Sequence, residues 1–458
     1  MRDLGLSFFM TLTILSAAGC GSDVAEEASS GSSSHASSGV GGQGGAGGQA
    51  GTGGQGGTGE DPALPPSPKR IPISVGGTHV CAMNDAGQVR CWGDNGANQL
   101  GQGPNKEDIG DDETPASTDY VDIGGKVVQI SAGSLHSCAL LDSGNVRCWG
   151  SGASGQLGYG AKSFGNDIPA VAGDVDVGGK VVQVAAGGNH TCALLASGNV
   201  RCWGLGEHGS LGYGNKNNIG DKVTPASAGN VDVGGKVVQI SACNMETCAL
   251  LASGNVRCWG RNDYGELGYG NTNTIGDDET PASAGDIDIG GKAVQISVGY
   301  YYACALLESG NVRCWGVGDD GRLGYGNTNV IGDDETPASA GDVDIGGKAI
   351  QIDAGGHHTC ALLDSGKLHC WGEGLEGAVG YGNKDTIGDD ETPASAGDVD
   401  VGGEVTAVSA DSSNTCAVLA TGAFRCWGAG FRGLNGHGNK TTLGDDETPA
   451  SAGDVPVF

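Results

Sequence analysis

The chain has 458 residues, 90 of them glycine and 16 cysteine, with 54 Asp and Glu against 24 Lys and Arg and a formal charge of −30. That acidic excess excludes attraction to nucleic acid or anionic lipid as the basis of its function. A chain of this length ordinarily holds two or three domains, but an internal repeat makes most of it one.

Residues 1–19 have a charged start at Arg2, an apolar core from Leu4 to Leu15 and the small residues Ala17, Ala18 and Gly19 before Cys20. The segment is too short to span a bilayer as a helix and is expected to be a signal peptide. Ala17-Ala-Gly-Cys resembles the lipobox of bacterial lipoproteins. The resemblance implies cleavage before Cys20, a diacylglyceryl thioether on its sulfur and, with Gly21 next, sorting to the outer membrane, facing either the periplasm or the outside. An ordinary cleaved secretory signal is the alternative. Residues 20–68 then turn to Gly, Ser, Ala and Gln, too poor in apolar groups to form a core and expected to be a disordered tether.

From residue 69 to 458 one unit recurs. Its tryptophans are Trp92, Trp149, Trp203, Trp259, Trp315, Trp371 and Trp427, spaced by 54 to 57 residues, and such a period must be read before any local feature. In the third copy, Cys192-Ala-Leu-Leu and Val200-Arg-Cys-Trp flank a Ser-Gly turn, the pattern of a β-hairpin whose glycine supplies a positive φ. If Ala196, Ser197 and Gly198 form the loop, Leu195 pairs with Asn199, Leu194 with Val200 and Cys192 with Cys202. An apolar run before the hairpin (Val181 to Gly187) and a short alternating run (Asp174 to Val177) supply two further strands. The expected blade is therefore a four-stranded antiparallel sheet of strands A to D. Seven such sheets bury their faces against one another in a seven-bladed β-propeller.

The string His190-Thr-Cys-Ala-Leu-Leu, the Ser-Gly turn, Val200-Arg-Cys-Trp-Gly and the Gly-x-Leu-Gly that follows resemble the repeat of the regulator-of-chromosome-condensation family. Its members are seven-bladed propellers. The resemblance covers residues 69–458 and speaks to fold; it implies little about function, because a propeller hosts unrelated activities. Strand A should begin near Ile71 and the last strand D should be Asp454 to Phe458, so no strand is swapped between blades.

Fourteen cysteines fall into pairs of identical spacing: Cys81 and Cys91, Cys138 and Cys148, Cys192 and Cys202, Cys248 and Cys258, Cys304 and Cys314, Cys360 and Cys370, Cys416 and Cys426. None is a Cys-x-x-Cys, so zinc-ribbon and thioredoxin chemistry fail on spacing. Facing across a hairpin behind an export signal, each pair reads as a disulfide within its B-C hairpin. Two small buried side chains per hairpin is the competing reading. Cys243 is left over and is expected to be a buried inert thiol, an intermolecular bridge being the alternative.

The B-C and D-A turns hardly vary between copies and read as structural. The A-B tips and the residues after each Trp-Gly do vary, as a diversified binding face on a fixed scaffold would; drift in unconstrained loops would look similar. Tyr300, Tyr301, Tyr302, Tyr264, Phe431, Met245 and His357 lie in these segments and are the candidate binding residues, with one of the three consecutive tyrosines expected to pack against a neighbouring blade. His79, His136, His190 and His358 share one repeat position, where other copies have Glu246, Tyr302 and Asn414. One local hydrogen bond made several times explains this better than a metal site. The recurring Asp-Asp-Glu strings (Asp111, Asp277, Asp333, Asp389 and Asp445 at their starts) match no EF-hand or nonapeptide calcium loop and read as turns with solvated charge, calcium binding being the alternative.

No copy carries a unique nucleophile with base and orienting acid, so no enzyme, catalytic residue, cofactor or metal is expected. The expected function is a non-catalytic, surface-tethered monomer that recognises a protein or envelope ligand on the A-B/C-D face. Its contact with membrane would be through the lipid anchor only, with no nucleic-acid partner. A structural matrix role, inhibition of a secreted enzyme and, least of all, guanine-nucleotide exchange are the alternatives.

Overall fold

The structure, a computed structural model, describes residues 71–103, 107–160 and 168–458; the expected signal peptide, lipidated cysteine and tether lie outside the described residues. Seven antiparallel sheets follow one another along the chain, each built from consecutive strands. The first comprises Ile73–Val75, His79–Met83 and Val89–Gly93, and the last Val405–Asp411, Asn414–Leu419 and Phe424–Gly428. The hairpin register is the one the sequence indicates: Leu194 opposes Val200 and Cys192 opposes Cys202. Leu195 N donates to Asn199 O at 2.9 Å, and Gly198 takes φ of +84°, the left-handed conformation that closes a three-residue loop.

The A strands form the inner ring, each packed on the A strand of the next blade, with the first also packed on the last. Five glutamines lock this ring. Gln129, Gln183, Gln239, Gln295 and Gln351 donate from Nε2 to a carbonyl of the following A strand at 2.6 to 2.9 Å. Each also accepts the N–H of that same residue. The side-chain amide thus mimics one rung of a ladder between sheets that share no backbone pairing. The seven tryptophans are almost wholly buried between blades. The glycine ending each Gly-x-Leu-Gly lies against the next blade's indole: a Cβ on Gly158 would sit 2.7 Å from Trp203 Nε1.

The blades have three strands where four were expected. The D segment leaves the ladder after one residue: Val231 N donates to Val200 O at 2.9 Å, and Val233 N then turns back onto Val231 O at 3.1 Å. A second bridge, Gly204 with Ile219, covers the other end of strand C. Between the two bridges a tyrosine hydroxyl stands in for strand D, with Tyr213 Oη 3.3 Å from both the N and the O of Cys202. Tyr159, Tyr269, Tyr325 and Tyr381 hold the same position in their blades. Burial pushes the Tyr213 and Tyr159 phenols up to about 12, so they remain neutral and able to both donate and accept.

The intervening Thr-Pro-Ala-Ser string forms a one-turn helix, as at Pro225–Ala228, with proline at its first position, where no N–H is needed. Its second residue reaches the preceding blade: Ala226 N donates to Asp176 O at 3.0 Å.

All seven expected disulfides are present, with Cα atoms 4.0 to 4.1 Å apart. Cys243 is buried in the fourth blade.

The ring closes without strand exchange among the described residues: Ile73–Val75 pairs within its own blade. The seventh-to-first boundary repeats the bonds of the others. Arg90 Nη1 donates to Val457 O at 2.6 Å and Trp92 Nε1 to Leu434 O at 2.9 Å, as Arg257 Nη1 donates to Val233 O and Trp259 Nε1 to Ser210 O.

Candidate binding face

Each A-B tip is bonded to the loop that follows strand C of its own blade, as Leu205 N to Asn189 O at 2.9 Å, whereas the B-C turns bond the D-A turns, as Ala196 N to Lys180 O at 2.8 Å. The variable segments therefore share one face and the repetitive turns the other.

At the repeated histidine position the structure shows one hydrogen bond made at four blade boundaries. His79, His136, His190 and His358 place Nε2 2.6 to 2.9 Å from a Ser or Thr hydroxyl of the next blade. Burial lowers their pKa values to about 4 for His79 and His190 and about 3 for His136 and His358, so they are neutral. The exceptions follow from the neighbour. The first blade offers Val80 and the fifth Ala303 in place of the hydroxyl, and there the preceding blades carry Asn414 and Glu246. Asn414 turns its amide to the carbonyls of Trp427 and Ala429. Glu246, 1% exposed, finds no side-chain hydroxyl in the fifth blade to bond. Burial, and then the charge of Glu266, push its pKa well above the usual carboxylate range.

Tyr302, the fifth blade's residue at this position, is buried and donates from Oη to His358 O at 2.6 Å. It is the member of the tyrosine triplet that packs at a blade boundary, and it stands apart from the surface.

The other two tyrosines, Tyr300 buried at 7% exposure and Tyr301 half-buried, join a contiguous group. The rings of Tyr300 and Tyr301 meet edge to face at 4.1 Å, Tyr301 meets Tyr264 at 5.7 Å, and Tyr300 lies 5.9 Å from His357. Arg261, not among the sequence candidates, ties the group: its guanidinium lies 4.7 Å from the Tyr301 ring and donates to Tyr301 Oη at 2.6 Å. The patch runs across the fourth, fifth and sixth blades. Tyr264 is 47% exposed and supplies its outer surface. Tyr301 sits at φ of +65°, uncommon for a bulky residue and a mark of a conformation imposed by its surroundings.

Met245 is half-buried in the neighbouring tip, its carbonyl accepting Arg261 N at 3.4 Å. Phe431, 42% exposed, belongs to the seventh blade, where the adjacent Arg432 bonds Asp94 and Asp108 of the first. No ring contact joins it to the tyrosines among the described residues.

Beside the patch, His357 Nδ1 lies 3.7 Å from Asp320 Oδ2, and Arg322 Nη2 meets the same oxygen at 3.0 Å. These contacts, His357 first, hold Asp320 below its usual pKa. Glu373 completes the corner, its pKa raised chiefly by burial. The signal for these residues is variation between copies: Arg261 and Glu373 occupy the position after Trp-Gly that is Asp94, Ser151, Leu205, Val317 and Ala429 in the other blades.

The ring of seven sheets defines the chain as a β-propeller. A family model described as the RCC1-like domain matches residues 39–386, and the repeat continues in the structure to the seventh blade. The chain belongs to the RCC1-like domain family. It is 32% identical over 266 residues to human E3 ubiquitin-protein ligase HERC2, covering 57% of this chain and 5% of that one. It is 34% identical over 260 residues to the Arabidopsis thaliana ultraviolet-B receptor UVR8, covering 56% of each. The chain thus spans about half or less of these relatives. The solved structure of Prp20p from Saccharomyces cerevisiae, a protein with binding properties toward Gsp1p and histones, matches with a TM-score of 0.57 at 22% identity, covering 74% of this chain and 80% of that one.

Proposed function

We propose that the protein is a non-catalytic binding scaffold whose A-B/C-D face recognises a protein or envelope ligand through the patch of Tyr264, Tyr300, Tyr301, Arg261 and His357. The observation that carries this reading is the convergence of side chains from three blades into one aromatic cluster around Arg261 on the variable face, with Tyr264 its exposed member. Tyrosine and arginine are the residue types that anchor protein interfaces. Binding of proteins by Prp20p, on the same fold, is in keeping with it. The ligase activity named for HERC2 does not transfer, since this chain spans 5% of that protein.

The proposal includes export and tethering. The lipobox at Cys20 and the seven hairpin disulfides, which suit an oxidising compartment, support an outer-membrane lipoprotein with a monomeric propeller held on a flexible leash. Cys20→Ala then releases the protein from the membrane fraction or leaves it unprocessed; an unchanged membrane pool overturns the tethering.

The binding face is tested by crosslinking capture from envelope extract, comparing the intact protein with Tyr264→Ala, Tyr300→Ala and Tyr301→Ala. Each anchor removed is expected to weaken capture by about 1 to 3 kcal/mol. Capture that survives all three changes and is lost when Lys180 and Lys236 of the opposite face are replaced by Ala refutes the assignment.

A further inference from the structure

The corner formed by Asp320, His357 and Glu373 repeats a blade boundary in altered form. At the seventh-to-first boundary the residue before the last glycine of the loop after strand C is Arg432, and it forms an ion pair with Asp94 of the next blade. Asp94 directly follows the Trp-Gly of that blade. At the fifth-to-sixth boundary the corresponding residues are Asp320 and Glu373, so two carboxylates stand where opposite charges meet at the seventh-to-first boundary. His357, from the A-B tip of the sixth blade, brings an imidazole to the same point. One donor atom from each of the three lies within 4.8 Å of the other two.

We propose that Asp320, His357 and Glu373 bind one divalent transition-metal ion of the zinc type on the variable face. The donor set is mixed nitrogen and oxygen, the kind that suits zinc rather than calcium or magnesium. With bonds of about 2.1 Å in a tetrahedral arrangement, donors stand roughly 3.4 Å apart. His357 Nδ1 and Asp320 Oδ2 are already at 3.7 Å. The charges also fit. Arg322 offsets one of the two carboxylates, so the corner with a neutral imidazole carries a single negative charge for a dipositive ion to meet. Asp320 is held at φ of +58°, a left-handed conformation imposed by its loop.

The recurring Asp-Asp-Glu strings differ in donor set and placement: each lies within one loop and has no imidazole. Three protein donors leave the ion an open position toward solvent, where water or a group of a bound partner completes the shell. The site does not depend on the binding-face reading.

The test is titration of the EDTA-treated full chain with zinc chloride alone, followed by calorimetry. One ion per chain is expected, with affinity falling roughly tenfold or more in both His357→Ala and Glu373→Gln, while Asp333→Asn leaves it unchanged. Thermal melts of the two variants without metal should match the parent, separating lost binding from lost folding. No saturable binding, or binding that survives both changes or is lost in Asp333→Asn, overturns the proposal.

Discussion

The histidine ring shows that a residue's role in a repeat protein is set by the blade beside it. A neutral imidazole serves four boundaries because a hydroxyl faces it, and Glu246 is stranded because Ala303 offers none. Glu246→His with Ala303→Thr should therefore rebuild the bond seen between His190 and Thr247 and raise unfolding stability by about 1 to 3 kcal/mol. Either change alone should gain less, and a denaturant series showing the pair no better than the singles would count against the coupling. Asp353 is the acidic counterpart in the inner ring, at the position of Ser297 and Ser409. Its carboxylate accepts from Ala410 N at 2.9 Å and from the Ser297 hydroxyl at 3.1 Å, and burial pushes its pKa up to about 7. A folded pKa above the unfolded one means that stability is fully present below the unfolded value and is lost as pH rises toward the folded value. Asp353→Ser should thus match the parent near pH 4 and exceed it increasingly up to pH 7, by roughly 2 to 4 kcal/mol at the end. The buried histidines have the opposite sign, losing stability as pH falls from 6.5 toward 4. They are common to both proteins and drop out of the difference.

Each blade pairs a short hairpin with a single cross-link. Three strands of three to seven residues form little sheet on their own, and the outer edge of strand C is closed by single-residue contacts and, in five blades, a tyrosine hydroxyl rather than by a ladder. The disulfide therefore matters more here than it would in a fuller sheet. Replacing Cys192 and Cys202 together by Ala should cost about 2 to 3 kcal/mol from the loop of ten residues released in the unfolded chain. Calorimetric unfolding of the oxidised protein measures this. A loss below about 1 kcal/mol would show that inter-blade packing alone holds the hairpin. The same logic explains why the expectation of a fourth strand failed: Asp174 to Val177 alternates like a strand, but alternation reports which face is buried and not how many backbone bonds are made.

The ring as a whole is locked unevenly. Glutamine clamps join the second blade through to the seventh, but Pro72 and Ala407 stand where the clamps of the first and seventh blades would be. Both boundaries of the first blade lack them. The seventh-to-first boundary also lacks the histidine bond, since Val80 cannot accept it. The first blade keeps the arginine, tryptophan and serine contacts, among them Val75 N to Ser409 Oγ at 3.1 Å. Hydrogen exchange should show the strand Ile73–Val75 opening at lower free energy than the A strands of the third to sixth blades. Equal protection around the ring would mean that the clamps add nothing to local stability.

How much of this was legible beforehand divides along a physical line. Repeat length, hairpin register, the seven cysteine pairs and closure without strand exchange are consequences of local spacing, and spacing is what a sequence displays. The segregation of variable loops to one face followed from comparing copies, and it selected Tyr264, Tyr300, Tyr301 and His357. What the sequence could not display is which copies touch. Arg261 on Tyr301, Asp320 with His357 and Glu373, and Glu246 facing Ala303 are contacts between consecutive blades, 37 to 57 positions apart, and they exist only because the ring sets one blade's loop against the next blade's tip. Tyr302 illustrates the same limit: directly after half-buried Tyr301 on the variable face, it is turned inward by strand alternation and bonded to the next blade. Local pattern decided the blade; the packing of one blade on another decided which of its odd residues form a site.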